Sequence, residues 1–169
     1  MEDPTVTSYS ALANIIQTHS YQPDKDLHQL FRQMVVNVIL NNADGHLQNF
    51  SMLHTKKGWQ LSPAYDIVPN IFQTNQLLAV NQKNAGINVS DLVAEGRNFG
   101  LSPITCRQAI LDVIEKTSNW QDVFEKSGVP PTKEVKALCE YIKTTWGRIG
   151  TVETAKQKNT QGTNVKCQG

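Results

Sequence analysis

The chain lacks the long apolar segments and dense cysteines that mark membrane and secreted proteins. Its longest apolar runs, Met34 to Val36 and Val38 to Leu40, are separated by Asn37 and fall far short of the ~20 residues that a membrane helix needs. Three cysteines without a Cys-x-x-Cys pair favour reduced thiols over a disulfide framework. The acidic first residues do not resemble a secretion signal. We therefore expect a cytoplasmic protein that makes no membrane contact.

Charge of one sign is also lacking, since 16 basic residues face 15 acidic ones and the net charge is +1. Without a basic stripe, the sequence predicts no direct binding of nucleic acid. No two histidines have zinc-site spacing, and no Gly-x-Ser-x-Gly hydrolase motif is present. A chain of 169 residues is most simply one domain. We expect it to occupy residues 1–150, with 151–169 forming a disordered tail of mostly polar residues.

Apolar spacing predicts a mainly helical (α) fold with a small β-hairpin. The first helix is expected to start at Thr7 or Ser8 and the second to be capped by Asp24. Later helices are expected over Ser90 to Gly96, after Ser102-Pro103, and after Pro130-Pro131-Thr132. The predicted strands are Phe50 to His54, Trp59 to Leu61 and Leu77 to Val80.

Three oxygen-bearing side chains, Asp44, Asn49 and Asp66, are separated by four and by sixteen residues. If the segment between the last two folds as a hairpin, Asn49 and Asp66 return to one point, with Asp44 a short loop away. One carboxylate and one amide oxygen suit Mg²⁺, which keeps several waters. Asp44 fits a carboxylate that accepts the proton of an attacking hydroxyl. The pattern therefore favours phosphoryl transfer, which relies on positioning and charge neutralisation.

Each of these residues also has a simple structural explanation. Asp44 and Gly45 alone would indicate a plain turn, and Asn49 or Asp66 alone a loop or cap residue. The functional interpretation depends on all three occurring at hairpin spacing. His46 is a candidate for a cationic contact to the transferring phosphate or, equally, for a hydrogen-bonded loop residue.

The motif from Asn41 to Ser51, followed by Leu61 to Pro69, resembles the C-terminal region of HipA-like toxins. The shared residues are Asp-x-His-x-x-Asn, from Asp44 to Asn49, and then Pro-x-Tyr-Asp, ending at Asp66. HipA-like toxins are serine/threonine kinases of bacterial toxin–antitoxin systems. The resemblance implies a protein-kinase-like C-lobe with the hairpin between the catalytic loop and the metal-binding aspartate.

By this resemblance Asp44 is the catalytic aspartate, His46 the histidine of the catalytic loop, and Asn49 and Asp66 the ligands of Mg²⁺ and hence of ATP. The implied partners are a protein substrate, typically an aminoacyl-tRNA synthetase, and a HipB-like antitoxin. Gln48 departs from the family pattern, in which Lys or Arg is common.

The 43 residues before Asp44 contain no Gly-rich loop and no strand-borne lysine for ATP. We therefore expect this chain to be the catalytic part of a kinase that needs a separate or missing N-lobe, and to have weak or no activity by itself. The alternatives are a non-catalytic, partner-binding lobe and an aminoglycoside-kinase-like phosphotransferase. The second alternative is disfavoured because Asn42-Ala43 replaces the His-Gly that usually precedes the aspartate in those enzymes.

Overall fold

The structure, a computed structural model, describes residues 8–70, 72–73 and 75–151. In these residues the chain forms a mainly helical fold with one two-stranded antiparallel sheet, as predicted. The elements in chain order are α1 (Tyr9–His19), α2 (Pro23–Leu40), β1 (Met52–Thr55), β2 (Gly58–Leu61), α3 (Val89–Gly96), α4 (Pro103–Lys116), α5 (Trp120–Lys126) and α6 (Lys133–Gly150).

The starts of the first two helices follow from their capping chemistry. The hydroxyl oxygen of Ser8 accepts a hydrogen bond from the backbone N–H of Ala11, which confirms the predicted start of α1. The prediction that Asp24 caps α2 is wrong, because the cap position is Gln22 and Pro23 occupies the first turn. Pro suits that position, since its missing N–H would have no partner there. Asp24 lies in the first turn, where its negative charge interacts favourably with the helix dipole.

Helix α2 is the centre of the core. It packs against α1, α4, α6 and β2. Leu30, Phe31, Met34 and Val35 are 0% exposed, so this helix is covered on most of its circumference. Burial of apolar area on this scale is the main stabilising contribution to such a domain. The loop that follows α2 therefore starts from the element at the centre of the core.

The hairpin forms as predicted, but the bounds of its strands differ from those expected. Its register pairs Met52 with Leu61 and Thr55 with Gly58. Strand β1 therefore begins two residues later than expected, and β2 begins one residue earlier. Gly58 has φ 124, a conformation that side chains other than glycine's rarely adopt, so the turn requires glycine there. The backbone pairing continues past the ladder through the bond from Ser62 N–H to the Ser51 carbonyl at 2.8 Å.

Two other elements differ from what was expected. The predicted strand from Leu77 to Val80 is reduced to isolated bridges, from Ala79 to Ser8 and from Val80 to Lys83. Helix α5 was not predicted, because its seven residues make no side-chain cap bond and none is fully buried.

The remaining helices agree with the sequence-based expectations. Helix α3 begins one residue early, at Val89, and α4 follows the Ser102 cap and Pro103. Thr132 caps α6 by accepting from the N–H of Val135. The predicted tail lies, apart from Thr151, outside the described residues. No described helix is both long and apolar enough to cross a membrane.

Candidate functional site

A short loop after α2 carries Asp44 and Asn49. The Asp44 backbone carbonyl accepts from the N–H of His46 at 2.8 Å and from the side-chain Nδ2 of Asn49 at 3.3 Å. Asn49 ends a single 3-10 turn and is 5% exposed, so the loop fixes its amide. Because Nδ2 donates to Asp44, Oδ1 is the atom of this amide that can coordinate a cation. The side chain of Asp44 is exposed and free to meet a substrate.

Hydrogen bonds between the two flanks of the hairpin bring Asp66 back to this loop. The Tyr65 hydroxyl donates to the Gln48 carbonyl at 2.7 Å and lies 2.6 Å from the Ser51 hydroxyl. Gln48 directly precedes Asn49, and Tyr65 directly precedes Asp66. The return of the chain that was expected from the hairpin therefore occurs, and Tyr65 helps to hold it.

Asp66 has a left-handed backbone conformation, with φ 54. Aspartate tolerates this region better than most residues, and such conformations are concentrated at functional sites. The Asp66 carbonyl lies 3.5 Å from Nδ2 of Asn42, two residues before Asp44. Asp66 itself is exposed. The structure thus brings Asp44, Asn49 and Asp66 to one region, and their roles as base and metal ligands stay predictions.

His46 is half-buried within the same loop. Its Nδ1 is buried and has no hydrogen-bond partner among the described residues. Nδ1 is therefore enclosed by the protein and is not accessible to a ligand. Only Nε2 is then available to a bound phosphate, and that contact stays a prediction.

A buried amide network beneath the loop was not predicted from the sequence. Asn37 donates through Nδ2 to the Tyr9 hydroxyl at 2.8 Å and accepts at Oδ1 from Nδ2 of Asn42 at 3.3 Å. Its backbone carbonyl accepts from Nε2 of Gln76 at 3.3 Å. Asn42 Oδ1 is buried without a partner among the described residues. Buried polar groups that bond to one another fix a single arrangement, so this network positions the loop on α2.

Asn41 forms a second support at the end of α2. Its φ of 50 ends the helix in the left-handed conformation that Asn accepts readily. Its Nδ2 donates to the carbonyls of Asn70 and Gln73, and its carbonyl accepts from the Asn70 N–H at 3.1 Å. The segment after Asp66 is therefore tied directly to the start of the Asp44 loop.

Asp26 anchors the hairpin to α2. It is 1% exposed, and its Oδ2 accepts from the Leu61 N–H and the Ser20 hydroxyl, each at 2.7 Å. Oδ1 accepts from Nε2 of Gln22 at 3.1 Å. The sequence signal for these supports was weak: a polar residue at an apolar helical position, which is the pattern of Asp26 and Asn37.

The oxygen atoms available at this site are of the kind that bind a hard cation. Mg²⁺ binds oxygen ligands and retains waters, so the exposed Asp66 carboxylate and the fixed Asn49 Oδ1 are suitable donors. The described part of the chain contains no group of three or more His, Cys, Asp or Glu side chains that could hold a metal ion. A site here would therefore be of the kind that depends on substrate phosphates to complete it.

Fold and site together define a mainly helical domain in which a hairpin connects a polar loop to a second aspartate. The chain belongs to the family of HipA-like C-terminal domains, whose family model matches residues 2–121. This finding confirms the resemblance drawn from the motif.

Individual relatives agree with the family. A Haemophilus influenzae protein named "Putative kinase" is 28% identical over 145 residues, which cover 73% of this chain and 42% of the relative. "Putative kinase Y4mE" of Sinorhizobium fredii is 30% identical over 57 residues, 34% of this chain and 14% of that protein.

Among solved structures, the fold is similar to a chain of the Shewanella oneidensis toxin–antitoxin complex of HipA, HipB and operator DNA. The TM-score is 0.64 at 18% identity, with 86% of this chain and 34% of that chain covered. At this identity the likeness concerns the fold. The chain thus spans less than half the length of the Haemophilus and Shewanella proteins.

Proposed function

We propose that residues 1–150 are the C-lobe of a HipA-like serine/threonine kinase that transfers the γ-phosphoryl group of ATP to a protein hydroxyl. The observation that carries this proposal is the Asn49 amide, fixed by Asp44 with Oδ1 left over, beside a hairpin that returns Asp66 to the same loop. The kinase names of the relatives support the same reaction class.

Each site residue would have a separate role in phosphoryl transfer. The substrate hydroxyl oxygen attacks the γ-phosphorus, its proton passes to the Asp44 carboxylate, and the bond from the γ-phosphorus to the leaving ADP oxygen breaks. Asn49 Oδ1 and the Asp66 carboxylate would hold Mg²⁺, which when bound neutralises phosphate charge. His46 Nε2 would donate to a phosphate oxygen.

ATP binding requires contacts beyond these residues. The 43 residues before Asp44 contain the helices α1 and α2 and no Gly-rich loop. We propose that a separate or additional N-lobe supplies the nucleotide contacts. The proposed protein partners are a HipB-like antitoxin and an aminoacyl-tRNA synthetase. The antitoxin is supported by the fold similarity to a chain of the Shewanella complex of HipA, HipB and operator DNA.

The test combines this chain with the N-terminal part of the Haemophilus relative and follows transfer of label from γ-labelled ATP to lysate proteins. We expect Mg²⁺-dependent labelling that Asp44→Asn lowers by about 10²–10⁴-fold, the usual contribution of a general base. Asp122→Asn, which alters an exposed aspartate on α5, is the matched control. Equal labelling by wild type and Asp44→Asn would contradict the assignment.

A second arm tests the metal site in this chain alone. Mn²⁺ added in small amounts should broaden the amide NMR signals around Asp44, Asn49 and Asp66 selectively, even if binding is weak. Asp66→Asn should abolish that broadening. Broadening that is unchanged in this variant would place the cation elsewhere.

A non-catalytic, partner-binding lobe is the second candidate, because apolar side chains next to the site are exposed. Phe72 is 83% and Val68 57% exposed, and both line one cleft; apolar side chains that form a contiguous exposed patch mark interaction surfaces. If Asp44→Asn left unchanged both the effect of the protein on cells and its binding to a partner, the non-catalytic assignment would replace the kinase assignment.

A further inference from the structure

A cleft of about 400 Å³ opens beside Asp44, between the segment that follows Asp66 and the start of α6. We call it the α6 cleft. Its main lining side chains are Asp44, Val68, Phe72, Glu134, Val135 and Leu138. The volume is at the lower end of the range for ligand pockets, so it accommodates a few side chains of an extended segment.

The apolar part of the α6 cleft is only partly covered by the fold, although Leu138 also packs against the core. Helix α6 buries Ile142 and Ile149 fully, whereas Val135 and Leu138, nearer its start, are only half-buried. Phe72 faces this region and is 83% exposed. An apolar face that continues beyond the core in this way gains stability when a partner covers it.

The charged part of the α6 cleft is entirely acidic. Asp44 and Glu134 are its only charged lining residues in the described part of the chain. Lys133 and Lys136 lie on the same turn of α6 but do not line the cleft. Hydrogen bonds from its own backbone N–H and from Thr132 keep the pKa of Glu134 below its usual value, so it is ionised at neutral pH.

These charges discriminate between occupants. Carboxylates whose charge no cation neutralises repel phosphate, so the cleft as a whole does not suit a nucleotide or a nucleic-acid backbone. They attract a cationic side chain, while the walls offer apolar contact. The complementary ligand is a protein segment that carries an apolar residue and a Lys or Arg near one another.

We propose that the α6 cleft binds the residues that flank the phosphorylated hydroxyl of a protein substrate, with an apolar side chain against Phe72 and Leu138 and a basic side chain at Glu134. This inference rests on the proposed function, because Asp44 would receive the hydroxyl proton at one end of the cleft. Glu134 is thereby a specificity-determining residue and lies outside the catalytic machinery.

The binding test uses the full chain without ATP and fluorescein-labelled, Ser-centred peptides, read by fluorescence anisotropy at low salt. Each peptide carries one Leu and one Arg, with the Arg placed in turn at every flanking position. A matched set carries Glu in place of Arg. We expect the Arg peptides to bind more tightly, with a preferred Arg position.

Charge reversal gives the sharpest discrimination. Glu134→Gln should weaken the preferred Arg peptide by about 2–5-fold, in line with an exposed ion pair. Glu134→Lys should reverse the preference, so that the Glu peptide binds better. Glu125→Lys, which changes the charge equally at an exposed site on α5, should leave the preference unchanged. Phe72→Ala should weaken Arg and Glu peptides alike.

The inference and the proposed function fail differently. If peptide preference follows Glu134 while the completed kinase transfers no phosphate, the cleft still binds basic segments, but the kinase assignment falls and the segment is not that of a phosphorylated substrate. If the completed kinase transfers phosphate but Glu134→Lys changes neither the KM for the protein substrate nor the preference between Arg and Glu peptides, the cleft assignment is overturned. Absence of peptide binding by the folded wild-type chain would also overturn it.

Discussion

Tyr9 supports the candidate site from inside the core. Its side chain is 1% exposed, its hydroxyl accepts from Asn37 at 2.8 Å, and its ring lies edge-on to Phe50, with ring centroids 5.9 Å apart. Phe50 directly follows Asn49, and Asn37 holds Asn42. A single phenol thus contacts both sides of the Asp44 loop.

Replacing Tyr9 by Phe should lower the free energy of unfolding at pH 8 by about 1–3 kcal/mol, because Asn37 Nδ2 is left buried without an acceptor. Urea denaturation followed by circular dichroism measures the change. An unchanged midpoint would mean that another group replaces the lost acceptor.

The same pair of proteins should differ in pH dependence. Burial raises the pKa of Tyr9 far above its usual value, against a smaller lowering by the bond from Asn37. The unfolded phenol loses its proton near pH 10, whereas the folded one keeps it, so the stability contributed by Tyr9 is present below pH ~10 and lost above it. The difference in unfolding free energy between wild type and Tyr9→Phe should therefore narrow by about 1 kcal/mol between pH 8 and pH 10.5.

At the residue scale, the convergence of the candidate site residues was easier to predict than their supports. Asp44, Asn49 and Asp66 were selected because an oxygen-rich motif flanks a segment with hairpin alternation, and their chemical roles stay predictions. Asn37 and Asp26 were missed, because a polar residue in an apolar helix reads as an interruption. Their role depends on partners distant in sequence, Tyr9 and Leu61, which local patterns do not reveal.

At the element scale, strong capping residues and long apolar periodicity predicted the helices well. Ser8, Ser102 and Thr132 each accept the expected bond from a first-turn N–H. The misses were elements with little burial or pairing: α5 has no fully buried residue, and Ala79 meets a helix cap in place of a strand. Tertiary context decided both.

The junction between α2 and the segment after Asp66 depends on Asn41, which combines a left-handed backbone with two side-chain bonds. Asn41→Gly keeps the backbone conformation and removes the bonds, so we expect a loss of about 1–2 kcal/mol in unfolding free energy. Asn41→Ala should lose about 1 kcal/mol more, because alanine is strained at positive φ.

Chymotrypsin provides the local readout for these variants, since Phe72 lies in the segment that Asn41 holds and is 83% exposed. Cleavage after Phe72 should be faster in both variants than in wild type. Equal stability of the Gly and Ala variants would show that position 41 does not require the left-handed conformation.

At the scale of the whole molecule, the core and the candidate site are separable. The core is centred on α2 and its contacts with α1, α4 and α6, while Asp44 and Asp66 are exposed at its edge. Buried polar residues such as Asp26 and Asn37 connect the two. Changes to the exposed aspartates should therefore affect chemistry and leave the fold intact.

Asp44→Asn and Asp66→Asn should each change the unfolding free energy by no more than about 0.5 kcal/mol, the usual limit for exposed positions. Asparagine also tolerates the left-handed backbone at residue 66, so no strain is added. Asp26→Ala is the matched buried control and should lose about 3 kcal/mol, because the Leu61 N–H and the Ser20 hydroxyl lose their acceptor. Urea denaturation of the three variants measures this contrast. A loss above about 1.5 kcal/mol in either exposed variant would mean that its carboxylate helps to hold the fold, and a loss of activity in that variant would then no longer identify a catalytic or metal-binding role.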